Sequence, residues 1–298
     1  MRRRFITLDV FTRRRFAGNP LGMVFEADGL DTETMQTVAR EISHPETVFM
    51  LPPQDAANKA AMRIFTPASE LPFAGHPTVG AAVGLARAAG GGKQSFAIEE
   101  KVGPVSCVAQ MHDADTGYAE FTLPRLPERV GELPDAAIMA GALGLAAADI
   151  ASESYPPSRW SAGVPYSMVP VRSLEAIARA RPDPATFEKV FAFGGRAMVY
   201  VICTETADPA HHLRARMFAP ANGIPEDPAT GSAAAAFAGL HAAHRRLADG
   251  VHKLIIEQGY EMGRPSEMEL SLDIEGGALR WASIGGHAVV VTEGVIEA

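Results

Sequence analysis

Cysteine is nearly absent: Cys107 and Cys203 are the two thiols in 298 residues. Each lies in an apolar, strand-like run, so no disulfide framework is indicated. Positive charge is also short, with 27 Lys and Arg against 35 Asp and Glu and a net charge of −8. General binding along a phosphate backbone needs clustered cations, so nucleic acid is not an expected partner. The clusters at Arg2–Arg4 and Arg13–Arg15 read as solvated surface beside the first strand. No stretch approaches the ~18 consecutive apolar residues of a membrane span. The basic start runs into an alternating Phe5–Phe11 segment rather than an apolar leader. The expectation is a cytoplasmic protein without a membrane role.

Several chemical signatures are missing as well. Gly90-Gly91-Gly92-Lys93 lacks the earlier glycine and the following Ser or Thr of a phosphate loop, and it comes after a helix. His211 and His212 are adjacent and so face opposite ways in a strand. His241 and His244 share a helix face but have no third ligand at zinc spacing. No metal, no dinucleotide fingerprint and no serine nucleophile elbow is expected.

What is present is a repeat. Arg63-Ile-Phe-Thr-Pro67-Ala68 leads to Gly75-His76-Pro77-Thr78-Val79-Gly80, and Arg216-Met-Phe-Ala-Pro220-Ala221 leads to Glu226-Asp227-Pro228-Ala229-Thr230-Gly231-Ser232. Upstream, Ala17-Gly18-Asn19-Pro20 and Ala162-Gly163-Val164-Pro165 each precede a helix-like segment and an apolar strand. Two matched pairs in the same order indicate two half-domains. Period-two runs dominate both halves. Each half also has one helix without a polar stripe, Pro77–Ala89 and Thr230–His244, which marks a buried helix. The expected organisation is an N-terminal half over 1–128, a C-terminal half over 129–284, and a last strand near 285–298 that could return to the first half. Pro124 to Pro134 reads as the connection, and the active site is expected in the cleft between halves.

The loops carry the chemistry. The first N–H groups of a helix lack intrahelical partners and its dipole favours negative charge. Two such ends, at Gly75–Thr78 and at Thr230–Ser232, suit a carboxylate or a developing oxyanion. Taken singly, Asp227 and Ser232 read equally as helix caps, and His76 as a hydrogen-bonded structural residue. Glu46 opens the apolar run Thr47-Val-Phe-Met. It is either a general acid/base or a solvated strand-edge carboxylate.

Phe16-Ala-Gly-Asn-Pro20, Glu46-Thr-Val-Phe49, Phe65-Thr-Pro67, Gly75-His-Pro-Thr78, Glu226-Asp-Pro-Ala-Thr-Gly-Ser232, Gln258-Gly259 and Gly263-Arg-Pro-Ser266 together resemble the PhzF-like family. The matches run through essentially the whole chain. The resemblance implies an α+β, diaminopimelate-epimerase-like fold with two pseudo-symmetric domains, each a barrel-like sheet around a central helix. It also implies a homodimer and an isomerase working by general acid/base catalysis without a cofactor. Glu46 occupies the position of the family's proton-moving glutamate. His76 and Asp227 match the residues that help place the substrate and its proton, and Asn19, Gly75, Gly231 and Ser232 match the lining of the site; Thr78 and Thr230 join the substrate-binding candidates through the two helix ends. Pro45 stands where the family's phenazine enzymes commonly carry serine, removing a hydroxyl and a backbone donor. Neither cysteine lies in a helix-start loop, which argues against thiol-based racemisation. The expected activity is proton transfer between carbons of a small dihydroaromatic or amino-acid-like carboxylate. Inversion at one carbon by an epimerase or racemase, and ligand binding without catalysis, are the alternatives.

Overall fold

The computed structural model describes residues 1–151, 153 and 155–298, and the chain divides into two units. Unit 1 comprises Met1–Pro124 with Ile284–Ala298, and unit 2 comprises Arg125–Ser283.

Unit 1 contains β1 (Arg2–Val10), β2 (Asn19–Val24), α1 (Thr32–Ile42), β3 (Glu46–Leu51), β4 (Ala60–Phe65), β5 (Glu70–Leu71), α2 (Gly75–Ala88), β6 (Lys93–Glu100), β7 (Gly103–Met111) and β8 (Thr116–Thr122). Strands β2 and β3 are parallel, with Leu21 opposite Glu46, and α1 connects them. Asp31 starts α1 by accepting the Thr34 N–H. Its apolar side, Met35 and Ala39, packs on Phe49 and Phe65, whose rings meet edge to face.

The centre of the unit is α2. Val79, Ala81, Ala82, Val83 and Ala86 are all shut away from solvent, and each fully buried valine contributes about 1.5–3 kcal/mol. Gly80 and Gly84 let the sheet approach. A Cβ at Gly80 would lie 2.4 Å from Leu21, and one at Gly84 would lie 2.5 Å from the Met23 sulfur. The helix therefore lacks a polar side because strands surround it, as its composition predicts.

Unit 2 contains β9 (Glu128–Glu132), α3 (Ala136–Ala142), β10 (Ser158–Ser161), β11 (Pro165–Val171), α4 (Leu174–Arg179), α5 (Phe187–Phe191), β12 (Val199–Cys203), β13 (Leu213–Ala219), β14 (Ile224–Asp227), α6 (Gly231–His244), β15 (Gly250–Gln258) and β16 (Ser266–Glu275). Here β11 and β12 are the parallel pair, and α4 and α5 lie between them in sequence. Met139, Leu143, Ile177, Phe187 and Phe191 pack on Val169, Val199 and Val201. Helix α6 is the central helix, alanine-rich and buried. The last strand, β17 (Ala278–Glu297), is one continuous element that starts earlier than the last strand near 285–298 expected from the sequence. In unit 1 it pairs with β1 along the whole of that strand. Residues 124–134, expected as a plain connection, include β9, which pairs with β10.

The internal contacts of each unit set the register of the repeat. Arg63 grips Glu70 through Nε and Nη2 at 2.7 and 2.9 Å, and Arg216 grips Glu226 the same way at 2.8 Å for both bonds. In unit 1, Glu99 binds the Gln54 and Asp55 N–H groups. In unit 2, Glu257 binds those of Ala207 and Asp208. Parallel pairing places Ala61 beside Glu99 and Arg214 beside Glu257. Each central helix begins five residues after its paired glutamate, at Gly75 and Gly231. Gly75 thus corresponds to Gly231 and His76 to Ser232, while Asp227 corresponds to Leu71. Aligning the loops on Pro77 with Pro228, as the sequence suggests, displaces this register by five residues.

Candidate active site

In unit 1 the candidate residues gather at the start of α2. Glu46 is the first residue of β3, and Leu21 of β2 lies across from it. Asn19, fully buried, opens β2. His76 is the second residue of α2, and its Nε2 lies 3.2 Å from Glu46 Oε2, with both side chains about nine-tenths buried. The ring also bonds the backbone of Pro20. Proline has only a carbonyl to offer, and Nε2 makes no hydrogen bond, so Nδ1–H is the donor. Burial pushes the His76 pKa down to about 3. The Pro20 bond pulls it upward and the charge of His44 pushes it further down. The imidazole is therefore neutral, with an Nε2 lone pair facing the Glu46 carboxyl.

Thr78 does not join Glu46. Its hydroxyl lies 2.8 Å from the Ala74 carbonyl and 2.8 Å from Glu100 Oε1. Glu100 ends β6 and is buried. Burial pushes its pKa up to about 8 against the opposing Thr78 hydrogen bond. Gly75 is the first helical residue, and Ala74 before it provides no side-chain cap.

In unit 2 the candidates gather at the start of α6. Thr230 precedes the helix, and its hydroxyl donates to Asp227 Oδ2. Gln258, fully buried at the end of β15, holds this loop with its whole amide. Its Oε1 accepts the Thr230 N–H at 3.2 Å, and its Nε2 donates to the Asp227 carbonyl at 2.7 Å and to Thr230 Oγ1 at 3.0 Å. Those bonds fix the direction of the Thr230 hydroxyl and the path of the chain through Asp227. Gly231 is the first helical residue. Ser232 Oγ lies 2.7 Å from the Tyr166 hydroxyl. Burial holds the Tyr200 hydroxyl pKa well above its ordinary value, and the charges of Tyr166 and Asp227 push it the same way.

Glu100, Tyr166 and Tyr200 carry no signal in the sequence read alone, and Gln258 enters it only as part of a motif. A signal exists for Glu100 and Gln258 once the register of the repeat is known, because each ends the strand that follows a central helix. Both cysteines are buried. Burial raises the Cys107 pKa, with a further push from Glu100, and burial raises that of Cys203; neither thiol is poised as a thiolate. Among the described residues no three His, Cys, Asp or Glu side chains are grouped to hold a metal ion. Among the described residues no helix is long and apolar enough to cross a membrane.

The sequence profile of the phenazine biosynthesis-like proteins (PhzC-PhzF) matches residues 8–294. An uncharacterised isomerase of Mesorhizobium japonicum is 47% identical over 98% of this chain and 98% of its own length. The trans-2,3-dihydro-3-hydroxyanthranilate isomerase of Pseudomonas aeruginosa is 33% identical, again over 98% of both. The crystal structure of a PhzF-family phenazine biosynthesis protein of Bacillus anthracis matches with a TM-score of 0.89 at 29% identity, covering 100% of both chains. The fold is α+β and diaminopimelate-epimerase-like.

Proposed function

Because the chain belongs to the phenazine biosynthesis-like family and is an isomerase, we propose that it moves a proton between carbons of a small carboxylate, with Glu46 taking and returning that proton. The observation that carries this is Glu46 Oε2 at 3.2 Å from His76 Nε2 in a buried setting. Ionised Glu46 accepts a proton from a C–H next to an activating group, and the C–H electron pair delocalises into the substrate. The same proton, or one exchanged from solvent, then forms a C–H bond at another carbon as Glu46 returns to its carboxylate. The double bond shifts and the composition is unchanged.

His76 suits this cycle. Its Nδ1–H is committed to Pro20, so Nε2 accepts a hydrogen bond from protonated Glu46 and gives the collected proton a fixed place. The N–H groups at Gly75 and at Gly231–Ser232 are assigned to the substrate's negative charge. Asp227, Thr230 and Asn19 are assigned to its polar groups. The mechanism calls on side chains and helix ends alone and needs no cofactor. Pro45 offers neither a hydroxyl nor an N–H beside Glu46, which disfavours substrates that need a donor there. A homodimer in the cytoplasm completes the proposal, and sedimentation velocity tests the dimer.

The substrate class is small dihydroaromatic or amino-acid-like carboxylates, drawn from the relative in Pseudomonas aeruginosa. The test is proton NMR in deuterium oxide with trans-2,3-dihydro-3-hydroxyanthranilate and a panel of such carboxylates. Wild-type protein should place deuterium at the new C–H. Glu46→Gln should lose about 10²–10⁴-fold in rate, the usual contribution of a general acid/base. Full turnover by Glu46→Gln would remove Glu46 from the mechanism. Deuterium entering with inversion at one carbon, and no double-bond shift, would make the protein an epimerase.

A further inference from the structure

Glu100 is a buried carboxyl that the proton-transfer cycle does not use, and its contacts do not suit a carboxylate. The Thr78 hydroxyl has one hydrogen, yet it lies 2.8 Å from the Ala74 carbonyl and 2.8 Å from Glu100 Oε1. A carbonyl cannot donate. With an ionised Glu100 the one hydrogen would be split between two acceptors; each contact is a full hydrogen bond when Thr78 donates to Ala74 and a protonated Glu100 donates to Thr78. The other oxygen, Oε2, is buried and has no hydrogen-bond partner among the described residues. That is costly for an ion and much less so for a neutral acid.

Unit 2 offers an independent comparison. Its strand β15 pairs beside β13 as β6 does beside β4, with Glu257 in the place of Glu99. The next residue is Gln258 in unit 2 and Glu100 in unit 1. Gln258 is neutral, bears both a donor and an acceptor, and braces the start of α6. A protonated carboxyl has the shape and the donor–acceptor pair of that amide.

We propose that Glu100 is a positioning residue: as a neutral carboxylic acid it braces the first turn of α2 through Thr78, and so holds His76 against Glu46. This rests on the roles given above to Glu46 and His76. Ionisation of Glu100 turns the Thr78 hydroxyl away from Ala74 and toward the carboxylate. The turn that carries His76 then loses its only side-chain tie to the Ala74 carbonyl among the bonds described. Among the described residues, no charged group shifts the Glu100 carboxyl. On β7 the titratable neighbour is Cys107, buried and protonated. On α2 it is His76, which is neutral. On β4, Arg63 is engaged with Glu70, and Lys101, next in sequence, also turns to Glu70. Glu99 on β6 is held by the loop of Gln54, Asp55 and Asn58. Burial raises the Glu100 pKa to about 8 even against a Thr78 hydroxyl turned to donate to the ionised form, so the neutral acid is favoured on burial as well as on its contacts.

Two measurements decide this, and the first needs no substrate. In protein carrying ¹³C-labelled glutamate carboxyls, one resonance, assigned by its loss in Glu100→Gln, should titrate near pH 8. The ¹⁵N signals of the His76 ring should shift over the same range in wild type and stay constant in Glu100→Gln. Titration of that carboxyl near pH 4–5 would overturn the proposal, whatever the catalytic activity proves to be. In the second, the deuterium-exchange rate of wild type should fall about tenfold per pH unit above pH 8. Glu100→Gln, which keeps a donor and an acceptor, should match wild type at pH 7 within about threefold and show no such fall. Glu100→Leu should lower kcat more than it changes KM at every pH. An alkaline fall that persists in Glu100→Gln would overturn the proposal. If no carboxylate is turned over, the assignment of function fails while the carboxyl titration still decides the protonation of Glu100.

Discussion

Raising the pH from 6.5 to 9 should destabilise the protein, and Glu100 sets the size of the effect. Its folded pKa lies at about 8 against an ordinary 4.5. Between those values the folded chain holds a proton that the unfolded chain releases, so each step up in pH favours unfolding. The stabilisation is fully present below pH 4.5 and fully lost above about pH 8. Each pKa unit corresponds to about 1.4 kcal/mol, which gives a ceiling of about 5 kcal/mol over the whole window. The helix dipole at the start of α2 works in the opposite direction, but its ~0.3–1 kcal/mol is too small to reverse the sign. The 6.5–9 range captures about 2 kcal/mol of the ceiling, or roughly 4 °C in Tm at about 2 °C per kcal/mol for a chain of this size. His76 gives the opposite slope at lower pH. Its pKa is depressed to about 3, so its contribution is present above its unfolded value near 6.5 and lost as pH falls. The measurement is therefore thermal unfolding of wild type and Glu100→Gln side by side from pH 5 to 9. The difference in Tm between them should grow with pH in favour of the variant up to about pH 8 and level off above it. Parallel curves across that range would show that Glu100 ionises in the folded protein as it does in the unfolded chain, and the argument from its burial would fail.

Gln258→Ala should cost about 2–4 kcal/mol in urea unfolding, because it leaves the Thr230 N–H and the Asp227 carbonyl without their buried partner; a loss below 0.5 kcal/mol would show that the loop finds other partners. Gly80→Val should destabilise by about 1–3 kcal/mol or more, since its Cβ would meet Leu21 at 2.4 Å and Val10 at 2.9 Å. Thermal melts would check it, and an unchanged Tm would mean that β1 and β2 yield to α2.

Much of the fold was legible because the two central helices carry no polar side and the strands alternate. The short elements were not. Strand β9 lies between Pro127 and Pro134, and its sequence Glu128-Arg-Val-Gly-Glu132 has no alternation to betray it. The repeat was visible but its register was not. Shared prolines and glycines align by letter, whereas the structure aligns by the Arg63–Glu70 and Arg216–Glu226 pairs, in which the same bidentate bond recurs. Glu46 and His76 were individually recognisable from their motifs. Their approach depends on β3 and on the start of α2, thirty residues later, and no periodicity encodes it. Glu100 was overlooked because a glutamate at a strand end ordinarily faces water, and here it is buried against Thr78 of α2.

The path of β17 bears on how the molecule is born. Strand β1, made first, pairs with β2 on one edge and with residues 288–297 on the other. During synthesis that second edge is a row of unpaired N–H and C=O groups, open to any strand that comes near. Unit 2 is a single stretch of chain, and all of it has been made before residues 284–298 exist. A ribosome delivering this protein from its N-terminus thus completes the C-terminal unit first, and the N-terminal unit must wait for the last strand to arrive.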